Sequence, residues 1–363
     1  MSVLDRVLKS INNPYATIAK DGLICGDISG YIDTGIYTLN GLISGQMIDG
    51  GFPKGKVVAL AGEKGTGKTF ILLNSLRKYL DSNLKAEVIL FESEGALTKE
   101  LLIDRGIDIN RVAIIPVATV EELRYQSLVI LETLEEYLSE TGEYPEVVMC
   151  LDSLGMLGTE FEQNTSRTND NKADMGKRAQ LIKSVFRNIT LKLSLLQVSM
   201  IITNHTYKGM GKYDPTKMGG GQGLEFAASI IIFLNKSAVR EDSPSGKGKD
   251  RIKHLIGNNI TFIVHKGRMT IEGSRAILGL DFKKGIDQYA GLLPLLISSG
   301  VFEKKGSWIS HNGDNIAQGD KQFYKNIDEI INNDIITELE PYIVEKFCYG
   351  VVDKNQNKES EDE

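Results

Sequence analysis

Cysteine is scarce in this sequence, and long apolar runs are missing. The three cysteines, Cys25, Cys150 and Cys348, lie far apart, which excludes a disulfide framework or a cysteine-based zinc site and favours a reducing compartment. No apolar run is long enough to span a bilayer, and the first residues lack the apolar segment of a signal peptide. These absences predict a cytoplasmic protein.

An excess of positive charge is also missing. The net charge is −6, with 42 basic and 48 acidic residues, which argues against a protein that coats nucleic acid through bulk charge. Five acidic and two basic residues among the last thirteen carry half of this net charge. The preceding body is therefore nearly neutral, and local basic patches remain compatible with the composition.

What the sequence does contain is a glycine-rich loop between an apolar run, 57–61, and a helical pattern, 70–80. Residues 62–69 read GEKGTGKT, the P-loop pattern in the context that it requires. The backbone N–H groups of such a loop point at phosphate oxygens, and the following helix adds partial positive charge. Lys68 is predicted to reach the β- and γ-phosphates, and the Thr69 hydroxyl to hold Mg²⁺. Predicted nucleotide contacts are Gly62, Glu63, Lys64, Gly65, Thr66, Gly67, Lys68 and Thr69.

Strand and helix patterns alternate from the loop onward. The strand patterns are nearly continuous apolar runs, which predicts an α/β fold with a mostly parallel sheet covered by helices on both faces. Shorter patterns predict an N-terminal helix, strands and turns over 22–52, and a small helix-rich unit from about 285. Two long polar stretches are predicted loops, at 158–172 and 205–223.

Polar residues follow the predicted strands where a hydrolytic site needs them. Asp152 ends the apolar run 147–151 and is predicted to support Mg²⁺, as a Walker B carboxylate does. Glu92 and Glu94 both follow the run 88–91, and a period of two leaves open which of them faces the nucleotide. His205 follows another strand, at the sheet edge where open α/β folds bind ligands.

In their order and spacing these motifs resemble the RecA family, and within it most of all the phage UvsX recombinases. The resemblance covers about residues 34–291. It implies a RecA-like P-loop NTPase core at 34–285, an N-terminal helix and oligomerisation segment at 1–33, a small C-terminal domain at 286–350 and an acidic disordered tail at 351–363. The segments that carry it are GEKGTGKT (62–69), VILFESEGALT (88–98), VVMCLDSLG (147–155), MIITNHTY (200–207), KMGGGQGLEFAAS (217–229), TFIVHKGR (261–268) and FKKGIDQYAG (282–291).

The function that this resemblance implies is ATP-dependent DNA strand exchange in homologous recombination, repair and recombination-dependent replication. Such a protein is a DNA-dependent ATPase that uses ATP and Mg²⁺ and forms helical filaments on single-stranded DNA. Implied partners are single- and double-stranded DNA, further copies of the chain, and mediator and single-strand-binding proteins, in the host cytoplasm if the chain is phage-encoded. A ring helicase with the same core and a non-hydrolysing accessory paralogue of a recombinase remain alternatives.

The resemblance also implies roles for individual residues. Glu94 matches the carboxylate that activates the attacking water, and Asp152 with Ser153 matches the Walker B pair. His205 matches the residue that senses the γ-phosphate and begins the second DNA-binding loop. Lys266 and Arg268 match a basic pair that reaches the ATP of a neighbouring subunit.

Two loops, 158–173 and 205–223, match the DNA-binding loops of the family. The second combines lysines, tyrosines and glycines, a composition suited to holding single strands, although a surface loop without a ligand is the alternative from composition alone. Leu101 stands where the family often has an aromatic residue on the base, so the adenine preference rests on the resemblance. Implied DNA contacts are Arg167, Lys172, Tyr207, Lys208, Lys212, Tyr213, Lys217, Gly219, Gly220 and Gly221.

Overall fold

A computed structural model describes most of the 363 residues, and its chain divides into two compact units. The first unit comprises 1–32 with 53–232, and the second comprises 33–52 with 233–363. Residues 1, 12, 14, 24, 169–175, 209–215, 243–252 and 351–363 lie outside the described residues, and so does the predicted acidic tail. The four-part division inferred from the sequence stays a prediction.

The described helices and strands follow the alternation predicted from the sequence. In chain order the helices are α1 (Val3–Ile11), α2 (Tyr37–Ser44), α3 (Lys68–Ser82), α4 (Lys99–Asp104), α5 (Val120–Thr141), α6 (Glu160–Thr168), α7 (Lys177–Leu196), α8 (Gln222–Ala227), α9 (Leu292–Ser299), α10 (Gly319–Lys325), α11 (Ile327–Ile330) and α12 (Asn333–Phe347). The strands are β1 (Tyr31–Ile32), β2 (Phe52–Pro53), β3 (Val57–Gly62), β4 (Glu87–Glu92), β5 (Val112–Pro116), β6 (Val147–Asp152), β7 (Ser199–Lys208), β8 (Thr216–Met218), β9 (Ile230–Asp242), β10 (Lys253–Gly267), β11 (Arg275–Asp281), β12 (Gly285–Ile286), β13 (Glu303–Lys305), β14 (Trp308–His311) and β15 (Asp314–Gln318).

Parallel strands form the centre of the first unit. Their order is β3-β7-β6-β4-β5, and each of these neighbouring pairs is parallel. Every residue of β3 and β6 is buried, as expected for strands covered on both faces. The predicted α/β fold with a mostly parallel sheet is confirmed.

The strand register brings distant sequence positions to one edge of this sheet. Gly62 at the end of β3 lies opposite His205 on β7, and Glu92 at the end of β4 lies opposite Asp152 on β6. Because parallel strands end at the same edge, the polar residues that follow them collect there. The candidate site is built on this edge.

Helices cover the sheet through apolar stripes. Helix α7 buries Ile182, Phe186, Ile189 and Leu193, which recur at helical spacing. Helix α5 begins with a capping box in which Thr119 and Glu122 satisfy each other's backbone N–H groups, and it ends at Gly142 in the left-handed conformation. Among the described helices, none is long and apolar enough to cross a membrane.

Three sequence expectations were wrong in part. Residues 22–52 contain the helix α2, because its buried Leu39 and Leu42 outweigh the glycines and Gly45 serves as its left-handed cap. Part of the first predicted loop is the helix α6, whose Thr159 and Glu162 form the reciprocal bonds of a capping box. The predicted helix-rich unit also contains the antiparallel sheet β13-β14-β15.

The second unit combines antiparallel strands with a helical end. Strand β11 pairs antiparallel with both β10 and β12. The Glu340 carboxylate on α12 accepts hydrogen bonds from the backbone N–H groups of Met47 and Ile48, at 3.2 and 3.3 Å. This contact fixes the residues after α2 against the C-terminal helix.

A stability test follows from the central position of β7. Ile201 is fully buried, between Val58 on β3 and Cys150 on β6. Replacing Ile201 with Ala leaves a cavity and should lower the free energy of unfolding by about 2–5 kcal/mol. Ile103→Ala removes the same atoms from a side chain that is 51% exposed on α4. Urea unfolding of both variants checks this, and equal losses would contradict the assigned core.

Candidate active site

The lysine of the P-loop forms hydrogen bonds to the backbone of the same loop. Lys68 begins α3, is 7% exposed, and donates through Nζ to the carbonyl oxygens of Gly62 and Glu63 at 2.9 and 3.0 Å. Gly65 and Gly67 have φ values of 73° and 88°, which side chains rarely adopt. The loop therefore already has a curled backbone, with its lysine buried beneath it.

Asp152 lies beside the first turn of α3. Its Oδ2 accepts a hydrogen bond from Thr69 Oγ1 at 2.8 Å, and its Oδ1 accepts one from Thr203 Oγ1. Burial raises the pKa of Asp152 above its usual value, and the two hydroxyl bonds act in the opposite direction. A carboxylate beside a hydroxyl is an oxygen donor set of the kind that Mg²⁺ prefers, so Thr69 and Asp152 fit the predicted metal site.

Glu94 meets Ser153, which follows β6, and His205, which lies on β7. Its Oε1 accepts a hydrogen bond from Ser153 Oγ at 2.6 Å and lies 3.2 Å from His205 Nε2. Glu92 instead accepts from the backbone N–H groups of Glu94 and Ala96. The alternative left open by the sequence is thereby decided: Glu92 shapes the turn and Glu94 faces the site.

The environment of Glu94 favours its ionised form. Partial burial raises its pKa, but the hydrogen bonds from Ser153 and His205 and the charge of Lys68 outweigh that effect and lower the pKa overall. A carboxylate that is ionised at neutral pH can accept a proton or orient a water molecule.

These groups line one open cleft of about 210 Å³ in the first unit. The structure thus brings together the P-loop, the Asp152 carboxylate and the predicted catalytic Glu94 and His205. The lining residues are Lys64, Gly65, Gly67, Lys68, Thr69, Phe70, Glu94, Asp152 and His205.

Three supporting residues were not assigned roles from the sequence. Thr203 holds Asp152, as described above. Ser93 Oγ donates to the carbonyl oxygen of Ser153 at 2.8 Å and accepts from its N–H at 2.9 Å. Asn204 donates to the carbonyl oxygen of Gly219 at 2.8 Å and accepts from the N–H of His205. Their shared signal is a polar residue at or just after the end of an apolar run in the sequence.

The second predicted DNA loop begins as a two-stranded ribbon. Strand β7 continues to Lys208 and pairs antiparallel with β8, which sets Tyr207 opposite Lys217. Tyr207 is 55% exposed. Gly219 donates its N–H to the carbonyl oxygen of His205 at 2.9 Å, and Gly220 and Gly221 follow with positive φ values.

The remaining predicted site residues are dispersed. Arg167 lies in α6, whereas Lys172, Lys212 and Tyr213 lie outside the described residues. Lys266 and Arg268 belong to the second unit, Lys266 near the end of β10 and the exposed Arg268 just after it. Their role toward a neighbouring subunit stays a prediction.

A model of the RecA N-terminal domain matches residues 27–287. The chain belongs to the RecA family. The "Recombination and repair protein" of Enterobacteria phage T4 is 30% identical over 278 residues, which span 76% of this chain and 66% of the phage protein. "Protein RecA" of Mycoplasmopsis pulmonis (strain UAB CTIP) is 29% identical over 318 residues, spanning 86% of this chain and 84% of that protein. "Protein RecA" of Arthrobacter sp. (strain FB24) is 26% identical over 314 residues, spanning 86% and 82%.

These matches confirm the family resemblance drawn from the motifs, including its phage branch. RecA-family proteins bind nucleotides, and as a class they are DNA-dependent ATPases that act on DNA as oligomeric filaments. The matches name no individual residue, so the roles assigned to Glu94, His205, Lys266 and Arg268 stay predictions.

The contacts of Glu94 generate a pH prediction. Ser153→Ala removes the hydroxyl bond that helps to keep the pKa of Glu94 low, so this pKa should rise. Because the folded-state pKa is depressed, the stability contributed by Glu94 is present above the unfolded-state pKa and is lost as pH falls through the folded value. Carboxylate NMR titration measures the shift directly.

Ser75→Ala is the matched control, since Ser75 Oγ donates to the carbonyl oxygen of Ile71 within α3 and makes no bond to Glu94. An unchanged Glu94 titration in Ser153→Ala would show that the 2.6 Å contact does not set the charge of this carboxylate.

Proposed function

We propose that this chain is an ATP-dependent DNA strand-exchange recombinase that assembles as a helical filament on single-stranded DNA and hydrolyses ATP in the cleft. The observation that carries the proposal is the grouping of Glu94, Ser153 and His205 beside a closed P-loop. The names of the relatives, RecA and a phage recombination and repair protein, support the class of function.

Hydrolysis requires a water molecule aligned with the γ-phosphorus of the substrate ATP. In our proposal Glu94 orients this water and takes its proton as the new oxygen–phosphorus bond forms and the bond to the β-phosphate oxygen breaks. Lys68 exchanges its bonds to the Gly62 and Glu63 carbonyl oxygens for phosphate oxygens and offsets their charge. Cleavage of this bond would give ADP and phosphate.

Thr69 and Asp152 would hold the magnesium ion. When bound, magnesium offsets charge on the phosphate oxygens. Thr203 fixes the Asp152 carboxylate from the opposite side to Thr69, so this ligand is oriented before the ion arrives. Such preorganisation lowers the cost of reordering the site at each turnover.

His205 would link the γ-phosphate to the second predicted DNA-binding loop, 205–223. Its ring contacts Glu94, while its backbone carbonyl accepts from Gly219. Loss of the γ-phosphate would change the ring contact, and the β7–β8 ribbon with Tyr207 and Lys217 would respond. A segment whose arrangement depends on a γ-phosphate is a recurring form of nucleotide switch.

The neighbouring subunit would complete the site. We assign Lys266 and Arg268 to the ATP of the next copy, where cations of this kind offset charge in the transition state. We assign residues 1–33 to contacts between copies, and the acidic segment 351–363 to competition with DNA for the basic loops. Mediator and single-strand-binding proteins are proposed partners, and the cytoplasm, of a host if phage-encoded, is the proposed location.

The primary test measures ATP hydrolysis with and without single-stranded DNA, together with electron microscopy of the DNA complexes. We expect stimulation by DNA and regular filaments. Glu94→Gln should retain nucleotide binding but lose about 10²–10⁴-fold in turnover, whereas Glu100→Gln on the exposed face of α4 should behave as wild type. Absence of both stimulation and filaments would overturn the proposal.

The same measurements separate the alternatives. A ring helicase would unwind duplex DNA without exchanging strands. A non-hydrolysing paralogue would show no difference between Glu94→Gln and wild type in turnover or in DNA release.

A mixing experiment tests the role of the second unit. Arg268→Ala should lower hydrolysis at least about tenfold, because a cation that offsets transition-state charge is lost, while nucleotide binding by isolated subunits stays within about twofold of wild type. Arg275→Ala removes another exposed arginine of the same unit and serves as control. Head-to-tail filaments of equal Arg268→Ala and Glu94→Gln subunits should recover about a quarter of the wild-type rate, since that share of interfaces has both groups. If the mixture showed no recovery of hydrolysis, the assignment of Arg268 to the ATP of the next copy would be contradicted.

A further inference from the structure

Arg178, in the first turn of α7, forms hydrogen bonds to the turn Leu154–Leu157, which follows Asp152 and Ser153. Its Nε donates to the carbonyl oxygen of Leu157 at 2.7 Å, and its Nη2 donates to those of Leu154 and Gly155, both at 3.0 Å. The side chain is half-buried, so these bonds are partly shielded from water. One guanidinium thereby bonds to two carbonyl groups of the short 3₁₀ turn Leu154–Met156 and to that of Leu157, the residue after it.

The turn Leu154–Leu157 lies directly against His205. A Cβ atom on Gly155 would stand 3.0 Å from His205 Cδ2 and 3.2 Å from Asn204 Oδ1, which is closer than side chains normally approach. The absence of a side chain at position 155 therefore lets the turn touch the imidazole ring. This contact opposes a displacement of either one toward the other.

Helix α7 also touches two glycines near the end of the second predicted DNA-binding loop, 205–223. A Cβ atom on Gly220 would lie 3.0 Å from Ile182 Cδ1 and 3.5 Å from Leu154 Cδ2, and one on Gly221 would lie 3.0 Å from Ala179 Cβ. Gly220 is thus packed between the turn Leu154–Leu157 and α7. Arg178 stands at the start of this helix, one residue before Ala179.

We propose that Arg178 is a positioning residue that couples the His205 ring to Gly220 and Gly221, near the end of the second predicted DNA-binding loop (205–223), by locking the turn Leu154–Leu157 to the start of α7. This inference rests on the proposed function. The chain of contacts runs from Glu94 through His205 and Gly155 to Arg178 and α7, and every step is a hydrogen bond or a close packing contact. Contiguous contacts of this kind are a physical route for coupling two sites.

The planar shape of the guanidinium matters for this role. Three carbonyl oxygens are met by nitrogen donors held in a fixed fork, which a lysine ammonium cannot reproduce although it keeps the charge. Arg178→Lys therefore removes this set of three hydrogen bonds without removing the positive charge. Arg187→Lys makes the same chemical change at an exposed position farther along α7 and is the matched control.

The experiment measures the affinity of the full chain for a fluorescent single-stranded oligonucleotide with ADP and with a non-hydrolysable ATP analogue. In wild type and Arg187→Lys the ratio of the two affinities should lie between about 5 and 150, the usual range of such coupling. Arg178→Lys should bring the ratio close to one, while ATP hydrolysis without DNA stays within about twofold of wild type.

Each outcome decides between roles. A ratio in Arg178→Lys equal to that of wild type would overturn the inference, and so would an equal loss of affinity in both nucleotide states, which indicates a merely structural role. A wild-type chain that binds no DNA would overturn the proposed function itself, so the two failures are distinguishable.

A second variant covers the case in which Arg178→Lys does not fold. Gly155→Ala displaces the turn from His205 without altering Arg178 and should lower the affinity ratio in the same way. Gly30→Ala is its control, because a Cβ atom there meets nothing closer than 3.8 Å. An unchanged ratio in Gly155→Ala would exclude the route through this turn.

Discussion

The parallel register of β3, β7, β6 and β4 is the constraint on which the site depends. It sets Gly62 opposite His205 and Glu92 opposite Asp152, so positions that lie far apart in sequence reach one sheet edge. A slip of one residue in any of these strands would send its side chains to the opposite face. Because β3 and β6 are buried on both faces, the close packing of their side chains opposes such a slip, and the residues that build the core thereby fix the geometry of the site.

The sequence predicted the features that are encoded locally. The P-loop and the carboxylate of Asp152 were identified because each stands at a fixed place relative to an apolar strand. The choice between Glu92 and Glu94 was not encoded, since side-chain alternation holds only within a strand and β4 ends at Glu92. The structure resolves the choice through the bond from Ser153, which follows strand β6 and is 59 residues away in sequence.

Features that depend on long-range contacts were missed for the same reason. Arg178 reads as a surface charge near a polar stretch, and only the tertiary fold shows that its guanidinium meets the carbonyls of Leu154, Gly155 and Leu157. Helix α2 was missed because tertiary burial outweighed the local glycine content. The helix α6 carried a usable local signal, the pair Thr159 and Glu162, within a stretch whose polarity suggested a loop.

The charge balance explains why a filament is integral to the proposed function. The net charge is −6, and the described part of the second predicted DNA-binding loop offers few cations, with Lys217 opposite Tyr207 on its ribbon. One copy would therefore displace few counterions from DNA, and its affinity alone would be low. Copies joined along one strand act at high effective concentration, so that weak contacts add. If the basic pair of each copy also completes the ATP site of the next, DNA binding and hydrolysis depend on the same interface, and assembly becomes the step that controls both.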